Sequence, residues 1–210
     1  MNLVMLAGGR SRRMGLPKYR LRLGGMCLYE YPLRCLDGLY DRAVIVENEG
    51  LIQADAQQGR VVVQDIVPHA GPLGGIYSGL GASDARLNLT VGADMPFVSR
   101  DLARAMEERA LSRHLDILVP NIDGLLEPLF SVYSLDVAPV AGSLLAAGIH
   151  EVRALFQSKL LRVDFVDRAY CERYDKRLLS FFNVNTPDDL VRADQIMHEE
   201  KNRQEEPTCT

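Results

Sequence analysis

An α/β fold, with a mostly parallel sheet covered by helices on both faces, is predicted by three observations. Apolar runs of strand length recur with helix-like segments between them: NLVMLA at the start, AVIVE (43–47), RVVVQ (60–64), LNLTVGA (87–93) and LDILVP (115–120). These runs are apolar nearly throughout instead of alternating, which is the pattern of strands buried on both faces. The length of 210 residues, with 47% hydrophobic and 25% charged, matches one globular domain able to bury a full core.

The elements follow in order. NLVMLA has no basic run before it and is far shorter than a signal or membrane-spanning segment, so it reads as the first strand. Leu73 to Leu80 and Leu135 to Ala147 are expected helices. SRDLARAMEERAL opens with Ser99 as N-cap, carries Asp101 in its first turn, and sets Leu102, Met106 and Ala110 on one face. DGLLEPLFSVY (123–133) reads as a turn feeding an extended segment, and LLRVDF (160–165) as a mixed or antiparallel addition to the sheet. In NTPDDL, Thr186 as N-cap, Pro187 at N1 and Asp189 at N3 form a capping box for the last helix. After Met197 the chain turns polar, which predicts a domain over 1–197 and a frayed tail over 198–210.

Charge and cysteine usage exclude several function classes. A net charge of -4 argues against broad binding to nucleic acid or to an anionic membrane. Cys27, Cys35, Cys171 and Cys209 have no C-x-x-C spacing, so neither a zinc site nor a disulfide framework is indicated, and a reducing cytoplasm suits them. His69, His114, His150 and His198 show no spacing that suggests a nucleophile's base or a zinc pair.

Against this acidic background, Arg10, Arg12, Arg13, Lys18, Arg20 and Arg22 crowd into thirteen residues, and the first carboxylate in the chain is Glu30. The cluster lies on LAGGRSRRMGLPK (6–18), a glycine-rich loop leaving the first strand, where α/β sheets bind nucleotides. Gly8 and Gly9 let the backbone approach a ligand and offer N–H donors to anionic oxygens. Taken alone, the cluster is equally a phosphate cradle or a solvated basic rim. It fits neither the P-loop pattern, because Leu16 and Pro17 separate Gly15 from Lys18, nor the G-x-G-x-x-G dinucleotide fingerprint.

The stretch instead resembles the signature L-A-[GA]-G-x-S-x-R-M-G-x-x-K of nucleoside-triphosphate transferases, matching it at Leu6, Ala7, Gly8, Gly9, Ser11, Arg13, Met14, Gly15 and Lys18. GPLGG (71–75) is similar to the segment with which molybdenum cofactor guanylyltransferases meet the guanine edge, and Asp65 matches a carboxylate near the nucleotide in that family. Ala93, Asp94, Pro96 and Phe97 match its [CA]-D-x-P-[FY] pattern. By position alone Asp94 suits either a Mg²⁺ ligand or a helix cap, and Ser99 already offers the cap. FFNVNTPDDL (181–190) resembles the family's closing segment, in which Asn183 and Asn185 alternate and so project to one side. The resemblance implies that those two amides help bind the acceptor or the metal-phosphate assembly, and their position equally allows a structural role in loop hydrogen bonding. One departure stands out: GGMCLYE replaces the family's G-K-P-L stretch, with Met26 and Cys27 where Lys and Pro are usual.

The resemblance implies a three-layer α/β/α, Rossmann-like fold of the nucleotide-diphospho-sugar transferase type, with an antiparallel addition to the sheet. It implies Mg²⁺-dependent transfer of GMP from GTP to the terminal phosphate of molybdopterin. It assigns Arg13, Lys18 and Asp94 to catalysis, with Asp94 as the metal ligand. Leu6, Ala7, Gly8, Gly9, Asp65, Gly71, Pro72, Leu73 and Gly74 join those three in nucleotide binding, and Asn183 and Asn185 go to the acceptor. Contact with a molybdoenzyme or a cofactor-delivery protein follows from the same role. The alternatives are a relative using CTP or another small phosphorylated acceptor, and a non-catalytic GTP-binding regulatory module.

Overall fold

The computed structural model describes residues 1–8 and 18–205. The strands are β1 (Asn2–Leu6), β2 (Arg22–Leu23), β3 (Met26–Cys27), β4 (Ala43–Val46), β5 (Arg60–Val63), β6 (Leu87–Gly92), β7 (Ile117–Ile122), β8 (Leu125–Leu126), β9 (Phe130–Ser134) and β10 (Val163–Asp167). The α-helices are α1 (Glu30–Cys35), α2 (Gly71–Gly81), α3 (Arg100–Ser112), α4 (Val137–Ala146), α5 (Arg153–Phe156), α6 (Arg168–Glu172) and α7 (Pro187–Glu205). The main sheet runs in the order β10-β7-β9-β6-β1-β4-β5, with β8 paired to β7, while β2 and β3 form a separate hairpin.

The five apolar runs become β1, β4, β5, β6 and β7, and β1 pairs in parallel with both β4 and β6. Each residue of β4 is buried, as expected for a strand covered on both faces. The antiparallel addition is β9, inserted between β6 and β7. β10, which the sequence left as mixed or antiparallel, pairs in parallel with β7. The chain reaches it from β9 through α4 and α5, a helical crossover of the kind that parallel pairing requires.

Two helical layers cover the sheet. Leu102, Met106 and Ala110 of α3 are buried with Leu3, Met5, Leu89 and Leu118 on one face. Leu73, Ile76 and Leu80 of α2 and Ala141 and Leu145 of α4 join Ile117, Val119 and Tyr133 on the other. The caps form as the sequence predicts. Ser99 Oγ accepts from Leu102 N at 3.2 Å, Thr186 Oγ1 accepts from Asp189 N at 3.1 Å, and Asp189 Oδ2 accepts from Thr186 N at 2.8 Å. The last helix does not fray at Met197; it continues to Glu205, with Arg177 bridging to Glu199 and Glu200 on its far turns. No described helix is long and apolar enough to cross a membrane.

Candidate active site

The carboxyl ends of β1, β4, β5 and β6 open on a cleft of about 690 Å³. Each strand delivers its next residues to the rim: Leu6, Ala7 and Gly8 from β1, Asn48 and Glu49 from β4, Asp65 from β5, and Ala93 and Asp94 from β6. Gly71 and Pro72, opening α2, complete one wall and Leu129 another. This is the crevice in which open α/β sheets bind ligands. Gly71 sits at φ +64, a left-handed turn that a side chain would strain, so the helix start depends on glycine there.

At one end Lys18 and Asp94 face each other, with Nζ 3.8 Å from Oδ2. Their side chains are 28% and 23% exposed, so the pair is loose and reachable by an incoming anion. Burial pushes the Asp94 carboxyl above its ordinary value, and Lys18 opposes that shift only in part. A carboxylate so placed favours additional positive charge beside it. Lys18 Nζ also donates to Asn185 Oδ1, and Val184 N donates to Asp94 O at 2.9 Å, tying the 183–185 segment to this end. Gly92 lets the Asp94 side chain fold back over the strand end, since a Cβ there would lie 2.6 Å from Asp94 Oδ1.

At the other end Asn48 and Asp65 lock together. Asn48 Nδ2 donates to Asp65 Oδ2 at 2.7 Å, and Asp65 N donates to Asn48 Oδ1 at 2.8 Å. Asp65 Oδ1 is buried with no hydrogen-bond partner among the described residues, leaving an acceptor to be satisfied. Glu49 and His69 line the same end.

Of the residues the sequence selects, Leu6, Ala7, Gly8, Lys18, Asp65, Gly71, Pro72 and Asp94 therefore line one cleft. Leu73 does not; it is fully buried in the core that α2 and α4 form against the sheet, because its position on the helix faces inward. Gly74 is also buried away from the cleft, beneath Ala70 and Val67 O. Asn183 and Asn185 part company: Asn185 reaches Lys18, whereas Asn183 Nδ2 donates locally to Phe181 O at 3.1 Å. Gly9 and Arg13, with Ser11, Met14 and Gly15 of the same signature, lie outside the described residues. Arg153 is exposed on α5 and Glu127 lines a second groove of about 590 Å³, with Arg168, Arg177, Phe182 and Arg192.

Sequence reasoning missed Tyr19, Val46, Asn48, Glu49, His69, Gly75 and Leu129 on the cleft wall. Asn48 carried the same signal as Asp94, a polar residue just past an apolar strand. Tyr19 reads as an ordinary core aromatic and is indeed 4% exposed, so the hydrogen bond its hydroxyl donates to Glu47 left no mark in the sequence.

Comparison with known proteins gives this geometry its family. The model of the MobA-like NTP transferase domain matches residues 3–163. A probable molybdenum cofactor guanylyltransferase of Pelotomaculum thermopropionicum is 38% identical over 90% of this chain and 90% of its own length. One of Natranaerobius thermophilus is 36% identical over 90% of this chain and 93% of its own. The crystal structure of molybdopterin-guanine dinucleotide biosynthesis protein A from Archaeoglobus fulgidus superposes with a TM-score of 0.77 at 27% identity, covering 95% of this chain and all of that one. A cytidylyltransferase from Thermus thermophilus, at 18% identity and a TM-score of 0.67, shares the fold over 92% of this chain and 97% of its own. The chain therefore belongs to the MobA-like NTP transferase domain family and is a nucleotidyltransferase.

Proposed function

We propose that the protein transfers GMP from GTP to the terminal phosphate of molybdopterin, in the cytoplasm, releasing pyrophosphate. The observation that carries this reading is the Lys18–Asp94 pair at the carboxyl edge of the sheet, joined through Asn185 to the segment that closes the domain. In the reaction an oxygen of the acceptor phosphate attacks the α-phosphorus of GTP, and the bond to the β-phosphate breaks. The attacking group is an anion at neutral pH, its second pKa being about 6, so no strong general base is required.

The chain's own groups then have three tasks. Lys18 and the Gly8 backbone meet the triphosphate charge, a role to which the signature match also assigns Gly9 and Arg13. Asp65 and the start of α2 at Gly71 and Pro72 take the nucleoside, with the unpaired Asp65 Oδ1 suited to accept an N–H from guanine. Asn185 holds the Lys18 ammonium toward the acceptor side, and Asn183 shapes the turn that presents it. A molybdoenzyme or cofactor-delivery protein is the natural recipient of the product.

The residues fit Mg²⁺ in one particular way. Among the described residues no group of three or more His, Cys, Asp and Glu could hold a metal, so a cation here would have Asp94 as its protein ligand and phosphate and water oxygens for the rest. That shell is the one Mg²⁺ commonly takes beside nucleotides. When bound, the ion supplies positive charge to the phosphate chain and to the departing pyrophosphate.

The test is thermal stabilisation by GTP, CTP and ATP, each with and without Mg²⁺, followed by pyrophosphate release in the presence of molybdopterin. Stabilisation selective for Mg·GTP, with turnover lost in folded Asp94→Asn, is the expected result. Preference for CTP replaces the product but keeps the chemistry. No response to any nucleotide, or wild-type rates in Asp94→Asn, refutes the proposal.

A further inference from the structure

A buried hydrogen-bonded strap crosses beneath the two ends of the cleft. Lys18 and Tyr19 are consecutive in one short 3-10 turn, Lys18–Arg20. The Lys18 ammonium faces Asp94, whereas Tyr19 turns inward and donates its hydroxyl to Glu47 Oε1 at 2.9 Å. Its ring is held edge-on to Tyr29, with centroids 6.5 Å apart, and Tyr29 N donates to Tyr19 O at 3.2 Å.

Glu47 follows the last residue of β4 and is 1% exposed. Both its oxygens are occupied. Oε1 accepts from Tyr19 and from Glu49 N, and Oε2 accepts from Leu51 N at 2.9 Å and Ile52 N at 3.4 Å. The next residue, Asn48, is the one locked to Asp65. A buried carboxylate is costly unless paired or fully hydrogen-bonded, and here the donors come from the two segments that carry the two ends of the cleft. One is the turn holding Lys18; the other is the loop holding Asn48 and Glu49.

We infer that Tyr19 and Glu47 are a positioning pair that fixes the phosphate end of the cleft relative to its nucleoside end. This rests on the proposed function, since only a ligand spanning both ends feels the alignment. A nucleoside triphosphate gains affinity over its separate parts when both half-sites are preorganised, and loses that gain when they move independently. Neither Tyr19 nor Glu47 is asked to supply chemistry. Their task is registration of Lys18 against Asn48 and Asp65.

The experiment measures dissociation constants of Mg·GTP, guanosine and inorganic tripolyphosphate on the full chain and on Tyr19→Phe, which keeps the ring and removes one hydroxyl. The unaltered chain is measured first; if it binds no nucleoside triphosphate, the proposed function and this inference fall together. If it binds Mg·GTP, Tyr19→Phe is expected to weaken that ligand about tenfold, on the scale of one hydrogen bond to a charged group, while guanosine and tripolyphosphate change less than about twofold. Glu47→Gln should show the same selective loss, and adding Tyr19→Phe to it should cost less than about twofold more, since both changes break one link. Parallel losses on all three ligands, or Mg·GTP affinity unchanged in Tyr19→Phe, would overturn the pair's positioning role and leave the proposed function standing.

Discussion

Gly92→Ala separates the orientation of Asp94 from its mere presence. Gly92 ends β6, and an added Cβ would meet Asp94 Oδ1 at 2.6 Å, Met95 Sδ at 3.2 Å and Met95 Cγ at 3.3 Å, where ordinary contact begins at 3.4 Å. The carboxylate oxygen must therefore retreat by about 0.8 Å, and Met95 by a few tenths of an ångström. Crowding of this size costs about 1–3 kcal/mol, offset by about 0.4–1 kcal/mol because alanine restricts the unfolded chain more than glycine. The net effect is about 0–2.6 kcal/mol, or a melting temperature lower by no more than roughly 10 °C for a chain of this size. Turnover is far more sensitive, because a misplacement of about 1 Å can cost on the order of 10²-fold. Pyrophosphate release should fall roughly 30- to 100-fold in protein that still melts cooperatively. Wild-type turnover in folded Gly92→Ala would show that the carboxylate's placement over the strand end does not matter, and the reasoning would fail.

Two further outcomes test the packing and the buried charge. In Gly79→Ala the new Cβ would lie 2.3 Å from Val4 Cγ1 and 3.3 Å from Val46 Cγ2, so α2 must lift from β1; a loss of about 2–3 kcal/mol, read as a melting point lower by roughly 5–10 °C, is expected, and an unchanged melting point would contradict the close seating of that helix. Glu47 is the pH probe: burial alone would raise its carboxyl, but hydrogen bonds from Glu49 N, the Tyr19 hydroxyl, Leu51 N and Ile52 N bring it below its ordinary 4.5. A depressed folded value stabilises fully above 4.5 and is lost as pH falls through it, so the melting-point gap between the unaltered chain and Glu47→Gln should hold from about pH 6 to 8 and narrow below about 4.5. A gap constant to about pH 3 would refute it.

What was legible in the sequence is what local pattern carries. Apolar runs marked β1, β4, β5, β6 and β7, and Ser99 and Thr186 marked helix starts through caps that use only neighbours in the chain. The motif at 6–18 and the carboxylates after β5 and β6 located the cleft, because strand ends and ligand edges coincide in this class of fold. Long-range pairing was not legible. Nothing near 130–134 states that β9 will enter between β6 and β7, and nothing near Tyr19 points to Glu47, 28 residues away. Leu73 and Gly74 matched a motif of which Gly71, Pro72 and Gly75 line the cleft, since the helix turns the two positions between them inward. The polar run after Met197 looked like a tail because composition does not record the ion pairs from Arg177 that meet its helix.

The insertion of β9 has a consequence for how the chain is assembled. Apart from Leu129, the described residues that line the cleft lie before residue 95, on, between or just past strands β1, β4, β5 and β6, which pair only with one another and with β9. β7 has no bond to β6; the two halves of the sheet meet only through the five residues of β9, which leave the ribosome some forty positions after β6. At about 5–20 residues per second that gap is several seconds, during which the first half can order itself; β7 emerges only near the end of it, pairing first with the short β8. Closure of the sheet is thus a late, non-local event, the kind that slows folding most, and the edge of β6 stays open to a wrong strand until it happens.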